Sequence, residues 1–170
     1  MSAFTRWPLA LASACSPSRE RTVATPADYD VALLRFSFPK GSATGGWAAR
    51  ILRKEATSPE LLTGRVAVDS SNQLWLLAAR AVLQHLPEGV TVRLYAPDNY
   101  LIQGITRWVK AWQRNGWQTR DGSPVRHRAA WEALAAAASR CTVHWSLDEG
   151  PADLAEGLAA LAGEAARGDG

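Results

Sequence analysis

The sequence is poor in the residues that build zinc sites and disulfide frameworks. Its 170 residues include two cysteines, Cys15 and Cys141, which lie far apart and form no CxxC or Cys/His pattern. A zinc site or a disulfide framework is therefore not expected, and a reducing compartment, the cytoplasm, is the predicted location. The histidines are scattered and show no ligand spacing, so no catalytic or binding role is assigned to them: His85, His127 and His144.

Long hydrophobic runs and nucleotide-binding loops are also missing. The chain has no run of eighteen apolar residues, which excludes a spanning helix, and it has neither a Walker A motif nor a nucleophile elbow. Apolar residues still make up 47% of the chain, so a packed core is expected. At this length we expect one domain over residues 28–166. A flexible tail, or alternatively a targeting peptide, is expected at residues 1–27, and a C-terminal tail at residues 167–170.

Charge is unevenly distributed, although the net charge is only +3. Residues 106–128, the basic segment, carry six cations and one acid, and residues 148–170 carry six acids and one arginine. Cations neutralise phosphates and aromatic rings stack on bases or sugars, so the basic segment is a candidate nucleic-acid interface. Its candidate contact residues are Arg107, Lys110, Trp112, Arg114, Trp117, Arg120, Arg126 and Arg128.

A purely structural role is the alternative for the same residues. In that case the tryptophans pack in the core and the arginines only solvate the surface. We expect such packing for Trp108 and Trp131, and nucleic-acid contact for the arginines as a group.

Hydrophobic periodicity predicts an α/β protein. Strands are predicted at residues 31–38, 45–54, 63–68, 90–95 and 142–147. Helices are predicted at residues 70–86, 99–116, 125–139 and 151–166. The first three strands should form an antiparallel meander, and the last two, each reached through helices, should run parallel to the first. The expected fold is a five-stranded mixed sheet, three antiparallel strands plus two parallel ones, flanked by helices.

One segment carries a specific family pattern. Residues 104–119 read GITRWVKAWQRNGWQT, and Pro124-Val125 and Trp131 follow. This pattern resembles the ribonuclease H type 1 family, in which the helix leads into a basic protrusion that grips nucleic acid. Softer matches are Gly45-Gly46-Trp47 and Ser71-Asn72. The resemblance covers about residues 30–166 and implies an RNase H-like fold that binds RNA, RNA/DNA hybrid or DNA.

The resemblance also implies contacts from small polar side chains to the groove and phosphates of a duplex. The matching positions are Ser70, Ser71, Asn72 and Asn99. For Ser70 an equally open alternative is that it caps the first helix by accepting a backbone N–H.

Hydrolysis in this family is two-metal chemistry, with Mg²⁺ held by four acids. This sequence departs from that pattern at three positions. In place of the family's acids stand Phe38 in the first strand (Ser37 if the alignment shifts by one residue), Trp75 in the first long helix and Pro97 after the fourth strand. Two acids remain near the family's positions. Asp98 lies one residue after the position that Pro97 occupies, and Glu156 (or Asp153 in another alignment) matches the acid of the last helix.

These departures predict an RNase H-like pseudonuclease that holds no metal and retains its basic, tryptophan-containing segment for nucleic-acid binding. One alternative is a protein-interaction or scaffold module of a larger assembly, which would have a protein partner. The other is an active RNA–DNA hybrid ribonuclease with a rearranged Mg²⁺ site. No membrane partner is expected.

Overall fold

A five-stranded mixed sheet forms the centre of the fold. The computed structural model describes residues 27–36 and 43–168. The strands are β1 Tyr29–Phe36, β2 Thr44–Arg53, β3 Glu60–Ala67, β4 Thr91–Tyr95 and β5 Thr142–Ser146. They lie in the order β3-β2-β1-β4-β5, with β1–β2 and β2–β3 antiparallel and β4 parallel to both β1 and β5. The predicted mixed sheet is therefore confirmed.

Helices cover both faces of this sheet. They are α1 Ser71–His85, α2 Asn99–Gln103, a π-helical turn Gly104–Trp108, α3 Val109–Arg114, α4 Arg128–Ser139, α5 Ala152–Ala155 and α6 Leu158–Arg167. The helices α1 and α4 contribute to the main core on one face, whereas α5 and α6 pack against β1 and β2 on the other. Within the described ranges, no helix is both long enough and apolar enough to cross a membrane.

Alternation along β1 separates two hydrophobic cores. Val31 and Leu33 are fully buried in the main core, and the intervening Ala32 is fully buried against α5 and α6. Small residues allow α6 to lie close to the sheet, because a Cβ at Gly46 would overlap the backbone of α6 at Ala162. The sheet thus places the basic segment, which packs with the main core, and α6 on opposite faces.

Several element boundaries differ from the prediction. The strand β3 begins three residues early because its ladder with β2 extends to the Ile51–Glu60 pair. The last helix is divided at Glu156 and Gly157, where Gly157 has a φ of +71° that a side chain would disfavour. Residues 37 and 38 were predicted as the end of β1 and lie outside the described residues.

Candidate nucleic-acid interface

The basic segment begins on a helix and continues into a closed loop. Gly116 and Trp117 reverse the chain after α3 with φ angles of +63° and +62°. The Trp117 N–H donates to the Trp112 carbonyl at 2.7 Å, and the Val125 N–H donates to the Trp117 carbonyl at 3.0 Å. These bonds close the loop at its base and hold its two sides together.

The tip of the loop is organised by Asp121, the only acid of the basic segment. The hydroxyls of Thr119 and Ser123 both donate to its carboxylate. The hydrogen bond from Thr119 lowers the pKa of Asp121, so this carboxylate stays ionised. The carboxylate of Asp121 is therefore held within the turn by these two hydroxyls.

Five aromatic rings pack into one cluster beneath the basic segment. This aromatic cluster consists of Tyr100, Trp108, Trp112, Trp117 and Trp131, whose neighbouring ring centroids lie 5.4–6.3 Å apart. Trp131 is fully buried, as expected, and its Nε1 donates to the Tyr100 hydroxyl at 3.3 Å. Trp117 is only 8% exposed, so its main contribution is to support the loop. Trp108 and Trp112 are half-buried and keep part of their surface open.

An open groove of about 300 Å³ lies between α3 and the loop. It is lined by Trp108, Ala111, Trp112, Asn115, Gln118 and Arg120. The indole rings supply apolar surface, and the exposed Arg120 supplies positive charge beside it. Aromatic faces next to a cation suit a base or sugar together with its phosphate.

The cations of the basic segment are all exposed: Arg107, Lys110, Arg114, Arg120, Arg126 and Arg128. Arg128 forms an ion pair with Glu132 at 3.0 Å, and its guanidinium lies 5.6 Å from the centre of the Trp117 ring. Within residues 27–36 and 43–168, the other five have no ion-pair partner. Their charge is therefore available to a ligand.

Ser70 caps α1, which was one of the two roles considered for it. Its Oγ accepts the Gln73 N–H at 3.3 Å, while the Gln73 side chain accepts the Asp69 N–H at 2.7 Å. Ser71 and Asn72 follow in the first turn and are partly exposed. Asn99 is exposed at the start of α2, where its side chain accepts from Gln103 at 2.7 Å.

The structure adds His127, for which no role was predicted. Its Nε2 lies 3.1 Å from the Ser70 Oγ, and with a φ of +57° it forms the start of α4. Burial lowers the pKa of His127, the Arg126 charge acts in the same direction, and Asp69 opposes both. Ser70 and His127 therefore connect the α1 N-terminus to the end of the basic segment. The position of His127 between two arginines was the only hint of this in the sequence.

The positions that match the family's acids have other roles here. Trp75 is 3% exposed within the main core, and Pro97 is exposed directly after the buried Ala96. Asp98 caps α2, with its Oδ1 accepting the Leu101 N–H at 2.8 Å. The side chain of Glu156 is exposed at the break between α5 and α6.

The donor set at these positions does not fit a magnesium pair. Mg²⁺ requires oxygen ligands in octahedral geometry, and neither an indole nor a proline ring supplies them. Residues 27–36 and 43–168 contain no group of three or more His, Cys, Asp or Glu side chains that could hold a metal ion. Residues 37–42, which include Phe38, contain no Asp or Glu at all.

Comparison with known proteins identifies the same architecture. The family model for RNase H matches residues 37–154. Ribonuclease H of Mycolicibacterium smegmatis is 42% identical over 101 residues, which are 59% of this chain and 63% of that protein. The matched part thus spans less than two thirds of that relative.

Solved structures share the fold at lower identity. LC9-RNase H1, a type 1 RNase H with the type 2 active-site motif, has a TM-score of 0.69 and 19% identity, with 85% of this chain and 75% of that chain covered. The foamy viral protease-reverse transcriptase in complex with dsDNA has a TM-score of 0.62 and 12% identity, covering 82% and 93%. Together with the family match over more than half of its length, the sheet topology shows that this chain belongs to the RNase H family.

Proposed function

We propose that this chain binds RNA, RNA/DNA hybrid or DNA through its basic segment and does not cleave it by metal-dependent hydrolysis. The groove beside Trp108 and Trp112 carries this proposal, because it combines open indole surface with the exposed Arg120. Four further cations without ion-pair partners among the described residues lie on the same segment. They would neutralise successive phosphates and release counterions.

The residues at the positions of the family's acids favour a protein that binds nucleic acid without cleaving it. Asp98 uses a carboxylate oxygen to cap α2, and Trp75 occupies core volume instead of offering a ligand. A duplex held through phosphates and the minor groove is recognised by its shape, which requires no metal. Ser71, Asn72 and Asn99 would add polar contacts next to the basic segment.

The described surface gives less support to a scaffold role. Only Leu61 and Leu147 are large hydrophobic residues with high exposure in the described ranges, at 46% and 51%. Leu61 lies on β3 and Leu147 directly follows β5, at opposite edges of the sheet, so they form no common patch. A stable protein interface needs a larger apolar centre than a single leucine provides.

The binding proposal is tested with a short RNA/DNA hybrid in filter-binding titrations at several salt concentrations. We expect the double variant Arg114→Ala/Arg120→Ala to bind the hybrid more weakly. A plot of the logarithm of its binding constant against the logarithm of the salt concentration should be less steep by about 1.8, the value for two lost phosphate contacts. The matched control is Arg53→Ala/Lys54→Ala, which removes the same charge from exposed positions away from the basic segment. Binding that is absent, independent of salt, or equally weakened in both variants would contradict the proposal.

The same preparations test the absence of cleavage. We expect the hybrid to remain intact in Mg²⁺ or Mn²⁺ while it stays bound. Cleavage that disappears in Asp98→Asn would overturn this half of the proposal, because it would show that Asp98 serves a metal centre rather than only the cap of α2.

A further inference from the structure

We propose that nucleic-acid binding by the basic segment is linked to the uptake of one proton by His127. This inference rests on the proposed function and concerns how the same interface is regulated. It assigns a binding role to a residue that also joins two helices.

The position of His127 is fixed by its backbone and by one side-chain contact. It adopts a left-handed backbone conformation, with a φ of +57°, where the basic segment enters α4. Its Nε2 lies 3.1 Å from the Oγ of Ser70, the residue that caps α1. The imidazole therefore lies where the N-termini of a 15-residue and a 12-residue helix meet.

The charges around this ring favour the neutral imidazole in the free protein. Partial burial and the neighbouring Arg126 both lower the pKa of His127, and Asp69, just before α1, opposes them. Arg128 follows on α4 and is paired with Glu132. Helix N-termini carry partial positive charge, which also disfavours a cation at this point. These influences together favour the uncharged ring in the free protein.

A bound polyanion reverses this balance. Phosphates held by Arg126 and the first turn of α1 would bring negative charge next to the ring and raise the pKa of His127. In the neutral tautomer protonated at Nδ1, Nε2 accepts a hydrogen bond from the Ser70 hydroxyl, whose oxygen also accepts the Gln73 N–H. Protonation converts Nε2 into a donor, so both Nε2 and the Ser70 hydroxyl can donate to a phosphate oxygen. The proton taken up comes from solvent and stays on the imidazole.

Proton linkage has a defined size and sign. Between the pKa values of the free and bound states, uptake of one proton strengthens binding by up to about 10-fold for each unit that the pH falls. Above the bound-state pKa and below the free-state pKa, His127 contributes no pH dependence. The gain therefore begins as the pH falls through the bound-state pKa and is complete below the free-state pKa.

The experiment measures hybrid affinity from pH 5.5 to 8.5 at constant ionic strength, together with an NMR titration of the imidazole with and without hybrid. The variant is His127→Asn, because asparagine tolerates the left-handed backbone while it cannot titrate. The matched control is His144→Asn, an exposed histidine on β5. We expect the wild type and the control to gain affinity as the pH falls, the His127→Asn variant to gain less, and the pKa of His127 to rise in the complex.

Two results would overturn the inference. One is an equal pH slope in the wild type and His127→Asn, and the other is a His127 pKa that does not change on binding. If a folded wild-type chain binds no hybrid even at pH 5.5, the proposed function fails as well. Binding with equal slopes, in contrast, removes only the proton linkage.

Discussion

Gly104 determines how closely the π-helical turn approaches α4. A Cβ at this position would overlap the indole of Trp131, which is fully buried. The Trp131 ring lies 5.4 Å from Tyr100 and 5.6 Å from Trp112, measured between centroids. A single methyl group at Gly104 would therefore displace the aromatic cluster that supports the groove.

We expect Gly104→Ala to destabilise the fold by about 1–3 kcal/mol, the usual effect of overpacking a core. Urea unfolding monitored by circular dichroism measures this change. The second variant, Trp131→Phe, removes the ring atoms that the new methyl group would meet, so the double variant should lose less stability than the two single changes together. Additive losses would show that the contact with Trp131 is not the cause.

Residue roles could be predicted from the sequence only where the signal is local. Trp108 and Trp112 are four residues apart, a spacing that predicts both rings on one helix face, and the serine before a helical pattern made a cap one of two open roles for Ser70. His127 contacts Ser70 across 57 positions of sequence, so no local pattern contains that pair. The use of Asp98 as a cap also needed the observed start of α2.

At the level of elements, an arginine from the sheet holds the break between α5 and α6. The guanidinium of Arg50 on β2 donates to the carbonyls of Asp153 and Leu154, both at 3.3 Å, and to that of Glu156. The last carbonyls of a helix have no partner within the helix. Arg50 therefore supplies partners at the end of α5, where Gly157 redirects the chain into α6.

We expect Arg50→Met to destabilise the fold by about 0.5–1.5 kcal/mol, because it removes a charged donor from three carbonyls, of which only that of Leu154 is partly buried. Hydrogen exchange should show faster exchange in α5 and α6 than in α1. The control is Arg53→Met on the same strand, which is exposed. Hybrid binding should be unchanged in both variants, since the basic segment lies on the other face of the sheet. Unchanged exchange in α5 would contradict the role given to Arg50.

The break in the last helix could not be recognised from the sequence. Residues 152–166 are rich in alanine and leucine and predict one continuous helix. Gly157 was a contrary signal, but an isolated glycine is tolerated within a helix, as Gly163 is within α6. What separates α5 from α6 is the left-handed Gly157 together with a side chain from a strand about 100 residues earlier.

For the whole molecule, the sheet separates the basic segment from the acids of the last two helices. The basic segment lies with α1 and α4 on the main-core side, whereas α5 and α6 carry the exposed acids Asp153, Glu156 and Glu164 on the other. Arginines lie on that second side too, since Arg50 donates to carbonyls of α5 and Arg167 is exposed on α6. A polyanion would therefore be attracted chiefly to the side of the basic segment, which favours one orientation of a bound duplex.

We propose that the N-terminal boundary of the domain lies at Ala27, one residue before the predicted start at residue 28, because Ala27 is only 6% exposed. The next residue, Asp28, connects β4 to the end of β2. Its N–H donates to the Thr91 carbonyl at 2.8 Å, and its carboxylate accepts the Thr91 N–H at 2.7 Å. Its carbonyl accepts the Lys54 N–H at 2.9 Å. A chain beginning at residue 27 should therefore keep the melting temperature of the full chain. A chain beginning at residue 30 should melt several degrees lower, and equal melting of the two truncated forms would contradict this boundary.

The architecture was predictable because it depends on patterns that extend along the chain. Alternating apolar residues predicted the strands, and helical connections implied that β4 and β5 run parallel to β1. The site was less predictable, since the groove is formed by α3 and the loop after Gly116. The sequence analysis named Arg120 and Trp112 as contacts but expected Trp108, which lines the same groove, to pack in the core. Which rings remain open depends on packing with Trp131.

The aromatic cluster has an optical consequence. Its four indoles and one phenol lie in a chain of contacts no longer than 6.3 Å between neighbouring centroids. Chromophores this close exchange excitation energy before they emit. A ligand that quenches Trp108 or Trp112 at the open groove would also lower the fluorescence that follows absorption by the buried Trp131, because Trp131 transfers its excitation energy to them. The emission of these four indoles, among eight tryptophans in the chain, therefore reports occupancy of the groove as a collective signal rather than through one ring.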